Sequence, residues 1–526
     1  HRNIDLGHVA DMRPCYHTMC RRIRYDCSVQ QPEEGDMPRK CVVFLMLAIC
    51  GLSVAAETEP LLRVIDLNVG ETQRVQLSDG NEVSVSLLDL RERRDSLRNA
   101  VRQAVVKVAI DGETIELTSA TYHLPTTVGK VQIDCSITGG YNSNGSPQSW
   151  ALDKDARLRL WPAGSPLLRS GTFMYPVKQR WFASLTQMCN EPTFVDGCES
   201  PARKQIYYHN GLDIGGCEGL TEVIAATDAL VVSAGLDVLP AHRENTPVRP
   251  RYDVVYLRDS RGWYYRYSHL KEIDASIKPG RILKMGDPIG LLGKEGGSGG
   301  WTHLHFGISA RQPSGRWGEQ EGYAFLWESY LRQFHPSIIA VARPHHLIRA
   351  GDSVTLDASK SWSVNGEIEH FEWRFEGGTT AQAAQVKRTY TTPGCYSEVL
   401  KVTDDEGNSA YDFAVVQVID GEHPDQLPPM IHPTYYPTRG IGVGDPITFK
   451  VRTFGTTEGN EIWDFGDGSK LVEVRSDGNV NKLAPDGYAV TSHAYRSPGD
   501  YIVRVERTNQ HGIRGIGHLH VRVDSP

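Results

Sequence analysis

Alternating hydrophobic and polar positions recur along the chain and predict strands more often than helices. Residues 83–87 (VSVSL) and 105–110 (VVKVAI) show the period of two that a strand with one buried face requires. Asp111-Gly112 adds a turn signal directly after the second run. The charged stretch 92–102 predicts one short helix. Together these patterns predict a β-rich accessory domain over residues 57–165.

The hydrophobic pattern of residues 337–420 is repeated in residues 428–524. Each block has a Gly-Asp pair, a strand centred on Trp, a Tyr followed by Pro-Gly, and a final alternating strand. The shared positions are Gly351-Asp352, Trp373, Tyr390 and Pro393-Gly394 in the first block and Gly444-Asp445, Trp463, Tyr495 and Pro498-Gly499 in the second. Two copies of this size are typical of repeated β-sandwich units, which the Pro-rich stretch 423–437 would link.

This repeat resembles the PKD domain, an immunoglobulin-like β-sandwich. The second copy has the family signature at residues 463–468 (WDFGDG), and the first copy has a degraded form at 373–378 (WRFEGG). The resemblance implies that the Trp fills the core and that the Gly-Asp-Gly segment forms the next turn, with calcium binding at Asp464 and Asp467 as the alternative. It also implies modules that act as spacers or contact carbohydrate or protein.

Composition and charge limit the classes of function. The chain has 526 residues, of which 40% are hydrophobic and 23% are charged, and its net charge is −8. This composition excludes a chain that is disordered throughout, and the length predicts several domains. A negative chain offers no electrostatic basis for nucleic-acid binding, so we expect no nucleic-acid partner.

Residues 37–56 have the pattern of a secretory signal peptide. Arg39 and Lys40 precede a hydrophobic run over residues 41–54, and residues 54–56 (VAA) supply the small side chains of a cleavage site. A membrane-spanning helix needs about 20 hydrophobic residues, so this run is too short to be a good span.

We therefore expect translation to start at Met37, with residues 1–36 as an upstream extension that is not native. The mature chain would begin at Glu57 without a transmembrane span and would be exported to the periplasm, the cell envelope or the medium. A lipoprotein motif at residues 47–50 (LAIC) is less favoured, because Ile49 is bulky where a small residue is required.

Export changes the interpretation of the cysteines, since disulfides form in oxidising compartments. Ten cysteines are present, and the five beyond residue 57 are Cys135, Cys189, Cys198, Cys217 and Cys395. Cys189 and Cys198 flank a short polar loop and are the best candidates for a disulfide. The odd number leaves at least one cysteine unpaired within the chain.

Histidines and one aspartate suggest metal-dependent hydrolysis. A hydrolytic zinc site needs neutral imidazoles and a carboxylate that converge while leaving a position open for water. His209 and Asp213 are separated by three residues, His303 and His305 would share one face of a strand, and His269 lies between these two motifs.

The same spacings recur at His518, His520 and Asp524, at the end of the second repeated block. Short histidine motifs occur by chance in a chain with 19 histidines, so spacing alone does not identify a site. We interpret this second set as a solvated edge of the sandwich that could bind metal only adventitiously.

The central histidine motifs occur in order with glycine-containing segments. The series consists of residues 209–213 (HNGLD), 223–232 (VIAATDALVV), 267–270 (YSHL), 284–290 (KMGDPIG), Gly293, Gly299-Gly300 and 303–306 (HLHF). Over about residues 170–330 it resembles the lysostaphin-type (LytM-like, M23) metallopeptidase domain. The resemblance implies an antiparallel β domain, which we place at residues 166–335, and a mainly β, multidomain chain.

The resemblance also implies the roles of five residues. His209, Asp213 and His305 would hold one Zn²⁺ per domain, with a fourth position for water or the scissile carbonyl. His269 and His303 would be the catalytic groups that act as acid, base and transition-state stabiliser. The sequence leaves open which of these two is the general base.

The chain departs from the family pattern at three places. Trp301 and Thr302 stand where small residues are usual, and Trp301 is expected to narrow the cleft or stack on a substrate. Two insertions, residues 186–204 and 236–252, are expected to border the cleft, unless they are only long surface loops.

The resemblance implies an exported zinc endopeptidase that cuts the peptide cross-links or stems of peptidoglycan. One alternative is a peptidase that acts on glycine-rich extracellular proteins. Another is an inert scaffold that binds cell wall or glycan through its PKD-like modules. The complete set of five polar residues favours the enzyme, because loss of a ligand is the usual mark of an inactive relative.

Overall fold

The structure is a computed structural model that describes residues 58–144, 149–186, 188 and 206–525. The predicted signal peptide and the predicted Cys189–Cys198 disulfide lie outside these residues. Strands form most of the regular structure, and the expectation of a mainly β, multidomain chain is confirmed. Within the described part of the chain, no helix is long and hydrophobic enough to cross a membrane.

The N-terminal segment, residues 58–165, consists of two antiparallel sheets packed face to face. Its elements are β1 (Arg63–Leu67), β2 (Thr72–Gln76), β3 (Glu82–Arg94), β4 (Val101–Ile110), β5 (Glu113–Thr118), β6 (Thr126–Val128), β7 (Val131–Thr138), α1 (Gly139–Asn144) and β8 (Ala156–Pro162). The strand orders are β1-β8-β7-β6 and β2-β3-β4-β5. The predicted turn at Asp111-Gly112 joins β4 to β5, and both residues have the positive φ that such a tight turn requires.

The predicted helix at residues 92–102 is wrong. Residues up to Arg94 belong to β3, which pairs with β4 as far as Arg94 opposite Val101. Between the strands the carboxylate of Asp95 accepts hydrogen bonds from the N–H groups of Leu97 and Arg98, at 2.9 and 2.6 Å. An Asx-type turn and the strand pairing therefore outweigh the helical propensity of the charged residues.

The central segment, residues 166–335, contains an eight-stranded antiparallel sheet, a three-stranded antiparallel sheet and one long helix. Its elements are β9 (Leu212–Gly215), β10 (Glu222–Ile224), β11 (Ala229–Ala234), β12 (Asp237–Val238), a 3₁₀ turn (Pro240–His242), β13 (Val255–Asp259), β14 (Tyr264–Ser268), β15 (Leu270–Ile273), β16 (Ile282–Leu283), β17 (Pro288–Leu292), β18 (His303–Arg311), β19 (Trp317–Glu319) and α2 (Tyr323–Phe334). The main sheet runs β12-β11-β13-β14-β18-β19, with β9 on β18 and β16 on β11; β10-β17-β15 forms the small sheet.

The two repeated blocks form two sandwiches that share one sheet. The first has β20 (Ile338–Ile339), β21 (His346–Arg349), β22 (Ser353–Asp357), β23 (Trp362–Ser363), β24 (Ile368–Arg374), β25 (Thr380–Ala381), β26 (Gln385–Thr389), β27 (Gly394–Asp404) and β28 (Ser409–Ile419). The second has β29 (Met430–Tyr436), β30 (Ile447–Phe454), β31 (Glu461–Asp464), β32 (Val472–Val474), β33 (Ala489–His493), β34 (Gly499–Thr508) and β35 (Arg514–Val523). β27 meets β35 through the pair Cys395–Gly515, which joins the sandwiches edge to edge. The second half of the predicted linker is the edge strand β29.

The signature Trp side chains fill the sandwich cores. Trp373 and Trp463 are completely buried. After Trp463 the Asp464 carboxylate accepts the N–H of Gly466, and the Asp467 carboxylate accepts the N–H of Ser469. The two aspartates therefore act within turns, as the first of the two interpretations expected.

Arg159 of the N-terminal segment ties that segment to the central one. Its side chain is 1% exposed and donates to the Asp134 carboxylate at 2.9 and 2.5 Å. It also donates to the carbonyl and the carboxylate of Glu321, just before α2, at 2.5 and 3.1 Å. One buried guanidinium thus compensates two buried carboxylates from different segments.

Replacing Arg159 should be strongly destabilising. Arg159→Met leaves Asp134 and Glu321 buried without their cation, and breaking a buried ion pair in this way costs about 3–5 kcal/mol. Denaturant unfolding followed by fluorescence measures the change. The matched control is Arg74→Met, an exposed arginine on β2 that pairs with Glu82 at 3.5 Å and should have little effect. Equal stabilities of the two variants would contradict the role given to Arg159.

Candidate active site

Strand register brings the residues of the two histidine motifs together. β9 pairs antiparallel with β18, so that Asp213 lies directly opposite His305 and Gly215 lies opposite His303. His303 and His305 are two residues apart on β18 and so share a face of the sheet. His209 lies just before β9. Pairing of two strands that are far apart in sequence therefore builds the site.

Three ligand atoms converge between these strands. His209 Nε2 lies 3.0 Å from Asp213 Oδ1, His305 Nδ1 lies 2.9 Å from the same oxygen, and the two nitrogens are 3.2 Å apart. Among the residues that the structure describes, these three form the group of histidine, cysteine or acidic side chains whose ligand atoms lie close enough together to hold a metal ion. All three side chains are buried.

The donor set fits a zinc ion. Zinc lies about 2.0–2.2 Å from nitrogen and oxygen ligands, which puts tetrahedral donor atoms roughly 3.3 Å apart, close to the distances observed here. Two imidazoles and one carboxylate are among the ligand sets that catalytic zinc sites use, and such sites leave a position open.

The electrostatics of the site favour the protonation states that bind metal. Burial alone would raise the pKa of Asp213, but the imidazoles of His209 and His303 and hydrogen bonds from His209 and His305 hold that pKa well below its usual value. Burial lowers the pKa of His305 to about 3 and that of His303 to about 4. At neutral pH the carboxylate is therefore ionised and these two imidazoles are neutral.

His269 lies between β14 and β15 and is fixed from several sides. Its Nδ1 is 2.6 Å from the carbonyl oxygen of Glu295, which can only accept, so Nδ1 carries a proton. Its backbone N–H donates to the buried Asp253 carboxylate at 2.9 Å. Arg251 pairs with Asp253 and lies beside the ring. A φ of 68° holds the residue in the left-handed region.

His303 also places its Nδ1 beside a backbone carbonyl. Its Nδ1 lies 3.2 Å from the carbonyl oxygen of Trp301, and its Nε2 lies 3.4 Å from Asp213 Oδ2. The ring centroids of His303 and His269 are 4.6 Å apart, and that of His269 is 6.1 Å from that of His305. The structure thus brings all five sequence-predicted residues into one buried cluster.

Residues 207–315 match the family model of peptidase family M23. The chain contains an M23 peptidase domain. Residues 335–418 and 434–514 each match a PKD domain model, so two PKD domains follow the M23 domain. The order of domains inferred from the sequence motifs is confirmed.

Similar proteins cover only parts of this chain. A microbial collagenase from Vibrio alginolyticus is 31% identical over 94 residues, which is 17% of this chain and 12% of the collagenase. Csd3 from Helicobacter pylori is 17% identical, with 44% of this chain and 75% of that chain covered and a TM-score of 0.19. The fibronectin(III)-like modules of Clostridium thermocellum CbhA are 12% identical, with 36% and 94% covered and a TM-score of 0.14.

Two expectations about residues outside the ligand set are wrong. Trp301 is 2% exposed, and its ring stacks on Phe454 of the second PKD domain instead of facing a substrate. His518 and His520 are also buried, against Phe413 and between Arg180 and Asp500. Both histidines lie on β35, a strand that an isolated sandwich would expose to solvent. Hydrophobic and polar side chains of other segments cover this strand, so the two histidines are packed between domains.

The insertion at residues 236–252 reaches the site, as expected. Its last residues are Arg251, which contacts His269, and Tyr252, whose hydroxyl accepts the N–H of Gly296 at 2.9 Å. Most of the other insertion, residues 186–204, lies outside the described residues. Sequence reasoning missed Asp253 and Arg251, because neither belongs to a motif with a metal-binding spacing.

Proposed function

We propose that the chain is an exported, zinc-dependent endopeptidase that hydrolyses amide bonds, with the peptide cross-links or stems of peptidoglycan as its substrate. The observation that carries this proposal is the convergence of His209 Nε2, Asp213 Oδ1 and His305 Nδ1 within 3.2 Å in an M23 peptidase domain. Two further imidazoles stand beside these atoms.

The residues around the ligand set suit proton transfer. A zinc ion held by His209, Asp213 and His305 would polarise the scissile carbonyl and lower the pKa of the attacking water. His269 and His303 each place Nδ1 beside a backbone carbonyl, and a ring that donates its proton there has Nε2 available as a base. The ring that takes the proton from the water becomes a cation beside the reacting carbonyl. It can then stabilise the negative charge that develops there and return the proton to the leaving amine.

The sequence supports export and a wall substrate. The pattern of residues 37–56 supports export, and the resemblance to lysostaphin-type enzymes supports peptidoglycan as the substrate class. The PKD domains would contact carbohydrate or protein near the substrate. Amino-terminal sequencing of the exported protein should give Glu57 as the first residue, and a protein that stays in the cytoplasm would contradict this part of the proposal.

A second candidate function is hydrolysis of glycine-rich extracellular proteins. The similarity of a 94-residue segment to a microbial collagenase favours it. The same site would perform the same chemistry, so the two candidates differ only in what the cleft accepts.

One digestion experiment separates the candidates. Purified peptidoglycan and denatured collagen would be incubated with the chain, and the products identified by mass spectrometry, with a chelator and His305→Ala as controls. New muropeptides that disappear in both controls support the first proposal, and new collagen peptides with the same dependence support the second. Unchanged substrates in both arms, with glycan or wall binding retained, would favour the inert scaffold.

A further inference from the structure

Residues 299–302, which we call the His303 loop, lie directly before His303 and are held by the second PKD domain. The carbonyl of Gly299 accepts from Asn479 Nδ2 at 3.0 Å, and the next carbonyl accepts from Arg452 Nη1 at 2.9 Å. The last N–H of the loop donates to the Tyr488 hydroxyl at 3.0 Å. Three backbone groups of one short loop thus find their partners on another domain.

The aromatic side chain of the loop is part of the same contact. Trp301 stacks on Phe454 with ring centroids 4.1 Å apart and an angle of 11° between the planes. His432 lies edge-on to the indole at 4.6 Å. Trp301 is 2% exposed, so almost all of this large hydrophobic surface is removed from water, and the second PKD domain supplies the rings that it contacts.

The partners on the PKD side are themselves rigid. Arg452 is completely buried and donates both to the Asp477 carboxylate, at 2.8 and 2.5 Å, and to two carbonyls of residues 481–482. Gly300 has a φ of 96°, and a Cβ there would lie only 2.1 Å from Asn479 Oδ1. The loop and the PKD domain therefore fit closely, and only glycine permits this approach.

The contact continues to the catalytic centre. The carbonyl of Trp301 is the acceptor for His303 Nδ1 at 3.2 Å. Thr302 Oγ1 donates to the carbonyl of Gly216 at 2.7 Å, next to the strand that carries Asp213. The orientation of the His303 ring thus depends on a loop whose other face belongs to the second PKD domain.

We propose that the second PKD domain positions His303 for catalysis through the His303 loop, with Trp301 and Tyr488 as positioning residues. The domain is then a working part of the active site and not only a spacer or binding module. The expected effect on kcat rests on the proposed function. The contact between the second PKD domain and the His303 loop can be measured without any substrate.

The test uses point variants of the full chain. Trp301→Ala removes the stacked ring, Tyr488→Phe removes the hydroxyl that accepts the Thr302 N–H, and Trp301→Phe retains an aromatic ring. The matched control is Val490→Thr, an exposed position on β33 of the same PKD domain. Hydrogen–deuterium exchange, zinc content, kcat and KM would be measured for each variant.

We expect Trp301→Ala and Tyr488→Phe to accelerate exchange in a peptide covering residues 299–306 but not in one covering residues 255–267. Their kcat should fall about 10- to 100-fold with KM and zinc content nearly unchanged, as is usual for residues that orient catalytic groups. Trp301→Phe should recover most of the loss, and Val490→Thr should behave like the wild type.

Unchanged exchange in residues 299–306 would overturn the inference whether or not the wild type is active. Loss of zinc together with faster hydrogen–deuterium exchange throughout the M23 domain would also overturn the inference, because that result indicates general destabilisation. A wild type that cleaves no substrate would refute the proposed function, while the exchange result would still decide whether the PKD domain holds the loop.

Discussion

His305→Ala should remove both the bound metal and the peptidase activity. His305 Nδ1 lies 2.9 Å from Asp213 Oδ1 and 3.2 Å from His209 Nε2, so its loss leaves two of the three converging donors. Because a bound metal contributes several kcal/mol to stabilising the transition state, kcat/KM should fall by roughly 10³-fold or more. Elemental analysis and peptide-release kinetics on the same preparation would measure both effects.

The matched control for this variant is His370→Ala. His370 lies on β24 of the first PKD domain, and its side chain is 71% exposed. The control should keep the zinc content and the activity of the wild type. An active His305→Ala chain, or one that binds a full equivalent of zinc, would show that the three-residue ligand set is incorrect.

His269→Ala should lose activity while keeping the metal. Its ring is not among the three converging donors, and its centroid is 6.1 Å from that of His305. General acid–base catalysis contributes about 10²–10⁴-fold to rates, so a loss of this size is expected in kcat. The ligand variant and this variant therefore separate metal binding from proton transfer.

The zinc content of His269→Ala shows whether His269 has a catalytic role or is part of the metal site. Wild-type zinc content together with a reduced kcat supports a catalytic role beside the metal. Loss of zinc would make His269 part of the metal site, and unchanged kcat would leave His303 as the group that transfers the proton. His303→Ala, measured in parallel, completes the comparison.

The sequence could predict which residues converge in the candidate site, because these residues lie in local motifs. The spacing of His303 and His305 gives both a common face on any strand, and the order of the motifs around them identifies the domain. The register that places Asp213 opposite His305 is a property of strand pairing, which only the structure describes.

Contacts between domains could not be predicted from the sequence. Trp301, His518 and His520 have no pattern that distinguishes a surface position from one covered by another domain. Their burial depends on complementary residues such as Phe454 and Phe413, which lie more than 100 residues away along the chain. The charged stretch 92–102 shows the same limit, since pairing with β4 outweighs its local propensity.

The contact between the second PKD domain and the M23 domain also affects which fragments of the chain are suitable for experiments. An isolated M23 domain would expose Trp301 and the polar groups of residues 299–302 that bind Asn479, Arg452 and Tyr488. If the second PKD domain positions His303 as proposed, we expect such a fragment to be less active than the whole chain.

Zinc reconstitution tests the central claim most directly. The purified chain would be stripped of metal with a chelator and then titrated with Zn²⁺, and the release of peptides from purified peptidoglycan would be followed. The account predicts that the stripped chain is inactive and that activity rises in proportion to added zinc, levelling off at one equivalent per chain. Full activity in the metal-free chain would contradict it.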